Sequence, residues 1–296
     1  MACGGGNPLT LRKYSAAGAD RRARDSRQLA QGVPIPNARL PLEILHLDDE
    51  YLIINKPVGM VSQPGLGHID DSVLNAAFGR FSHALRTLGA RRDWGLLHRL
   101  DKPTSGAMVL GLTPDSYDHL RKLFQNRKVK KEYLALVHGR PKPANGKIEA
   151  RLAETDTGVK KVVISGAGQE SLTYYWTLAQ SDQASLVRIE IVTGRLHQIR
   201  AHMMFVGSSL IGDNLYAAPG KASQVHGESH FYLHCRMLQF AYPNSKDERR
   251  FLAPLPATFI AAAQNVGVSI PPALVPHGTG STIAESLREP TRKAHR

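Results

Sequence analysis

A carboxylate held in a constrained loop among cations is the arrangement in this chain best suited to chemistry. Residues His98-Arg99-Leu100-Asp101-Lys102-Pro103-Thr104-Ser105-Gly106 set one acid, Asp101, between Arg99 and Lys102. Pro103 fixes one backbone angle and Gly106 frees another, so a tight, irregular connection is expected there. Beside two cations the carboxylate stays ionised, the state that a nucleophile or a general base requires. The same composition also serves a plainer end, an aspartate capping a turn through its own backbone.

Two histidines invite a metal reading that their spacing disfavours. His197 and His202 are five apart on an expected helix, whereas paired ligands on one helical face sit four apart. His197 and Gln198 suit hydrogen bonds to backbone or phosphate instead. Gly65 and Gly67 lack both the downstream Lys-Ser/Thr of a phosphate loop and the full dinucleotide fingerprint, so no nucleotide cofactor, and indeed no cofactor or metal, is expected. With only Cys3 and Cys235, neither a disulfide framework nor a thiolate zinc site can be assembled.

The elements that position these residues read as short strands with a few helices. Leu42 to Leu47 and Tyr51 to Asn55 are apolar runs joined by Asp48-Asp49-Glu50, a strand pair with a turn. A strand over Ala107 to Leu112 follows the Asp101 loop. From Leu186 to Val192 the alternation of Val187, Ile189 and Ile191 with Arg188 and Glu190 marks a half-buried strand. Thr113-Pro114-Asp115 supplies an N-cap, a first-position proline and a first-turn acid ahead of Tyr117, Leu120, Leu123 and Phe124 at helical spacing. A second helix is expected after Thr193-Gly194, through Ile199, Met203 and Val206, ending at Gly207. The class is α+β: a single catalytic domain over 41–270 on a mixed, largely antiparallel central sheet flanked by helices and loops.

Outside that domain, residues 1–40 read as a flexible basic arm and 271–296 as a flexible tail. The arm carries seven Lys/Arg against two Asp/Glu, and the tail four against two, so +6 of the formal charge of +13 remains on the 230 residues between them. A basic body with a pI near 9.9 points to a polyanionic partner, because cations that neutralise phosphates release counterions. No window of about 18 apolar residues is present, so no membrane partner is expected. A cytoplasmic location is expected, or an organellar matrix if residues 1–35 act as a transit peptide.

The Asp101 segment also resembles a known signature. His-Arg-Leu-Asp-x-x-Thr-Ser-Gly is similar to the nine-residue motif of the RluA-type RNA pseudouridine synthases and matches it completely. The resemblance extends upstream to Asn55-Lys56-Pro57-Val58-Gly59 and downstream to Lys131–Gly139, Thr193–His202, Ile211–Tyr216, Leu233-His234 with Leu238 and Phe240, and Ala253–Pro256. These blocks keep the family's order over residues 42–256. The stretch before the domain is too short and polar for the S4-type RNA-binding domain that many relatives carry, so a short form is expected.

The resemblance implies roles. Asp101 falls on the catalytic aspartate, needed to detach uracil from C1′ of the ribose and reattach it through C5. Tyr133 falls on the active-site tyrosine that stacks on the base; read without the family, Tyr133, Ala135 and Val137 are one face of a core strand. Arg200 falls on the basic residue paired with the catalytic aspartate. Arg99 falls on the arginine that helps hold the extruded base, an extrusion costing a few kcal/mol. His98, Lys56, Arg195, His197 and Gln198 are expected at the RNA. The implied substrate is a stem-loop of transfer or ribosomal RNA, and a monomer is expected. Two rival readings are a catalytically silent RNA-binding protein on this scaffold and a metal-assisted phosphohydrolase, for which the usual acidic cluster is missing.

Overall fold

The computed structural model describes residues 32–155, 161–217, 230–243, 245 and 247–275. Most of the expected basic arm and of the expected C-terminal tail lies outside the described residues. Within 41–270, which the sequence reads as one domain, contacts group into two compact units. One runs up to Lys130 and includes Met237–Leu252; the other comprises Lys131–Arg236 and the residues from Ala253 onwards.

The first unit starts with the expected strand pair, β1 (Glu43–Leu47) and β2 (Tyr51–Lys56), antiparallel with Ile44 opposite Ile54. The intervening turn is held by Asp48, whose Oδ1 accepts the N–H groups of Glu50 (2.9 Å) and Tyr51 (2.8 Å). Helix α1 (Val73–Leu88) opens on a capping box in which Ser72 and Asn75 satisfy each other's backbone N–H. A 3-10 stretch, Ala90–Gly95, leads towards the Asp101 loop. Strand β3 (Ser105–Gly111) follows and is buried along its whole length, an apolar run covered on both faces. Helix α2 (Pro114–Gln125) is capped as expected, Thr113 accepting from the Ser116 N–H with proline at the first position, and it buries Tyr117 and Leu120. The sheet order is β1-β2-β3-β9, where β9 spans Leu233–Ala241 and lends this unit its residues from Met237 on; β10 (Glu248–Leu252) pairs β9.

In the second unit β4 (Lys130–His138) stands beside the opening residues of β9, and the order continues β4-β8-β7-β5-β6. Here β5 is Asn145–Glu154, β6 Val162–Ile164, β7 Gln169–Gln180 and β8 Ala184–Ile191. The alternation seen in the sequence of β8 is real: Val187, Ile189 and Ile191 are buried, while Arg188 and Glu190 are only half so. Helix α4 (Ala257–Asn265) lays Phe259, Ala262 and Ala263 on Leu134, Leu136 and Leu186. Helix α3 (Gln198–Phe205) packs Ala201 with Leu152, Val162 and Tyr216. Every strand pairing with a described register is antiparallel, and the architecture is α+β as the sequence implies.

Candidate active site

The Asp101 segment occupies the entry to β3 in the first unit. The Thr104 N–H donates to the Asp101 carbonyl (3.0 Å), which closes the turn that Pro103 favours, and Gly106 takes φ 113°, open only to glycine without strain. Ser62 locks the approach: its hydroxyl donates to the Leu100 carbonyl (2.8 Å) and accepts the Leu100 N–H (2.9 Å). Beyond Asp101, the Lys102 carbonyl accepts from the Gly59 N–H (2.9 Å) and from the Lys56 ammonium (3.2 Å).

Lys56 lies where a lysine is seldom found. It is expected at the RNA, yet it is completely buried, its Nζ donating also to the carbonyls of Met60 (2.6 Å) and Pro57 (2.9 Å). Burial pushes the ammonium down to about 7 while the negative charge of Asp101 opposes the shift, so the two groups feel each other's field. A lysine committed to three carbonyls fastens the loop and offers no surface to a polyanion. His98 is likewise turned inward, its ring stacked on Phe124 of α2 (5.3 Å) and its Nε2 accepting the Val109 N–H (3.2 Å). Arg99 is exposed.

In the second unit Tyr133 is buried on β4 opposite Ile189, its phenol hydrogen-bonded to the Cys235 thiol. Burial pushes that thiol up to about 12, which makes Cys235 inert packing rather than a nucleophile. Arg200, on α3, has a partner that the sequence reading does not foresee. Its Nε and Nη2 grip Asp213 bidentately (2.7 and 2.9 Å), and the guanidinium lies over the rings of Phe231 (4.5 Å) and Tyr216 (4.9 Å). Asp213 is 0% exposed and its Oδ1 also accepts the N–H groups of Leu215 (3.1 Å) and Tyr216 (3.2 Å). A sequence signal exists, since Gly212-Asp213 lies within a family block, but nothing in it pairs Asp213 with position 200.

Gln198, for which the sequence suggests hydrogen bonds to backbone or phosphate, is buried, donating to the Leu172 carbonyl (3.1 Å) and Thr173 hydroxyl (2.9 Å) and accepting from the Thr193 hydroxyl (2.7 Å) and Arg195 N–H (3.0 Å). It ties α3 to β7. His202 reinforces the tie through Ser171 (2.8 Å) and Thr173 (2.9 Å). His197 meets the Tyr216 hydroxyl (3.1 Å) and adopts φ 49°, which starts the helix only at Gln198. Arg195 is exposed and donates to the Glu170 carbonyl (3.2 Å). Among the described residues no group of three or more His, Cys, Asp or Glu side chains is placed to hold a metal ion.

Two buried histidines make stability depend on pH. Burial lowers His202 and His234 from 6.5 to about 4. The folded state therefore holds both neutral where the unfolded chain takes up protons, so stability is full above about pH 6.5 and falls as pH drops towards 4. Each contributes on the order of 3 kcal/mol by the lower end of that window. Urea midpoints measured from pH 8 down to pH 5 should fall, and His202→Gln should flatten the curve; an unchanged slope in that variant would contradict the assignment.

Comparison with known proteins defines the class. Two solved structures share the fold: Human RNA Pseudouridylate Synthase Domain Containing 4 (TM-score 0.60, 24% identity, 77% of this chain and 94% of that one) and Domain Containing 1 (TM-score 0.61, 23% identity, 76% and 89%). A family model described as RNA pseudouridylate synthase matches residues 50–204. Ribosomal large subunit pseudouridine synthase D of Zymomonas mobilis is 34% identical over 73% of this chain and 70% of its own length. An uncharacterized RNA pseudouridine synthase of Synechocystis is 34% identical over 74% and 67%. The fold and the matched motifs thus define an enzyme that isomerises uridine in RNA. The chain belongs to the RNA pseudouridylate synthase family, as its resemblance to the RluA-type enzymes implies.

Proposed function

We propose that this chain converts uridine to pseudouridine in a ribosomal RNA hairpin, with Asp101 as the reacting carboxylate, Tyr133 against the target base and Arg200 as the cation that pairs with Asp101. The N1–C1′ bond of the uridine breaks, the uracil turns, C5 bonds to C1′, and the proton displaced from C5 leaves while N1 gains one, so the reaction is an isomerisation with no external reactant. The observation that carries this reading is the family motif seated in a loop locked by Ser62 and Lys56, which presents Asp101 from a fixed backbone. The names of the relatives from Zymomonas mobilis and Vibrio parahaemolyticus, both ribosomal large subunit pseudouridine synthases, support ribosomal over transfer RNA.

Unmodified transcripts of large-subunit ribosomal RNA and of transfer RNA, incubated with the protein and mapped for pseudouridine, test the proposal. Conversion at a discrete uridine of the ribosomal transcript is expected, at the same rate with and without EDTA. Modification of transfer RNA alone would overturn the choice of substrate, and no conversion in either would overturn the reading.

A further inference from the structure

The end of α2 carries a charge distribution that its helix does not explain. The acids of this helix lie in its first half, where Asp118 is held bidentately by Arg92 (3.1 and 2.8 Å). From position 121 to 130 there is no acid, and Arg121, Lys122, Arg127, Lys128 and Lys130 all carry charge at the surface, each of them exposed. Cations in a last helical turn complement the helix dipole, which accounts for Lys122. It does not account for Arg127, Lys128 and Lys130, which lie past the helix. Of these, Lys130 meets Glu248 of β10 (3.0 Å); the exposed Arg250 stands two residues along that strand.

Arg127 is the informative residue. The helix closes in a Schellman motif, the Arg127 N–H donating to the Phe124 carbonyl (3.1 Å) and the Lys128 N–H to the Leu123 carbonyl (2.8 Å). That motif puts Arg127 at φ 57°, the left-handed position where glycine sits without strain and an arginine costs about 1 kcal/mol. Folding alone would be better served by glycine, and the arginine is solvent-exposed, so its guanidinium has no packing role to offset the strain. The stack of His98 on Phe124 fixes this end of α2 beside the segment that carries Arg99 and Asp101.

We propose that Arg121, Lys122, Arg127, Lys128 and Arg250 form a phosphate-binding surface that tracks the backbone of the RNA whose uridine reaches Asp101. The inference rests on the proposed function for the identity of the RNA, and on charge complementarity for the surface itself. Cations on flexible stems beyond a rigid helix end suit a backbone read by charge, not by base edge. The surface supplies affinity and register, while the reacting groups lie elsewhere.

The test uses the full chain and a fluorescein-labelled, unmodified RNA stem–loop with uridines in its loop. Arg127→Gly should fold at least as stably as the parent, because it relieves the left-handed strain, yet bind the RNA severalfold more weakly at about 0.1 M salt. Combined with Arg121→Gln and Lys128→Gln, it should reduce the slope of log affinity against log salt by about 0.7 to 0.9 for each phosphate no longer neutralised. Conversion at saturating RNA should stay within about twofold of the parent, the effect falling on KM. A control, Arg86→Gln with Arg91→Gln, removes exposed charge from the end of α1 and should leave the slope nearly unchanged. A parental slope in the triple variant would overturn the proposal, as would an equal reduction per charge in the control, which would reduce the effect to net charge. Failure here with an active parent leaves the proposed function standing, whereas an inactive parent that still shows the altered slope sinks the proposed function and keeps the phosphate surface.

Discussion

Replacing Asp101 with asparagine is expected to abolish pseudouridine formation while RNA binding persists. The amide is nearly the same size as the carboxylate but carries no charge, is a poor nucleophile and is no base. The fasteners of the loop that involve backbone groups, from Ser62 to Leu100, from Lys56 to Lys102 and from Thr104 to the Asp101 carbonyl, survive the change. The loss should therefore fall chiefly on chemistry and reach roughly a thousandfold or more, the scale seen when a reacting group is removed. Single-turnover conversion at saturating RNA, alongside a binding titration, separates the two effects. Conversion within tenfold of the parent would remove Asp101 from the proposed mechanism.

The second large effect is expected at Asp213. Its carboxylate is fully buried and gives both oxygens to the Arg200 guanidinium, which is itself only 7% exposed. Asp213→Asn takes the bidentate carboxylate away from that buried cation, a change that costs about 3 to 5 kcal/mol where one partner of a buried pair is removed. The amide still offers one oxygen to the Leu215 and Tyr216 N–H groups, so the turn is spared more than the pair. Adding Arg200→Met should recover a good part of the stability, since an apolar side chain suits the space between Tyr216 and Phe231. Urea unfolding of the two single variants and the double provides the check. If the double variant is destabilised by the sum of the singles, the two residues are not coupled and the account fails.

What can be read from the sequence is what local chemistry decides. Thr113-Pro114-Asp115 specifies a helix start within its own first turn, and Asp48 specifies a strand reversal through neighbouring N–H groups, so both are legible. The start of α3 falls later than its sequence suggests, because the left-handed backbone of His197 and the inward turn of Gln198 depend on Leu172 and Thr173, some 25 residues away. Helix α1 does not stand out in the sequence although its Ser72/Asn75 box is local; Asn75 at the third position is less telling than Glu or Gln.

The site shows the same division. The motif around Asp101 announces chemistry because its nine residues match a family signature in full, where an aspartate in a Pro/Gly loop alone would also suit a turn cap. Lys56 defies its sequence context because a lysine is almost always at the surface, and only the convergence of three carbonyls explains a buried one. The Asp213–Arg200 pair is a tertiary fact, set by the turn at Gly212 meeting a helix, and no spacing rule predicts it.

The path of β9 bears on how the protein is made. Tyr242, just past that strand, reaches back to Asp48 across 194 positions (2.8 Å), and Phe240 and Tyr242 set their rings against Tyr51 at 5.4 and 5.1 Å. A ribosome delivers β1, β2 and the wholly buried β3 long before it delivers the strand that covers them, so the nascent chain exposes an unsatisfied edge for most of its synthesis. Such late closure slows folding and leaves the partly made sheet open to aggregation until β9 arrives.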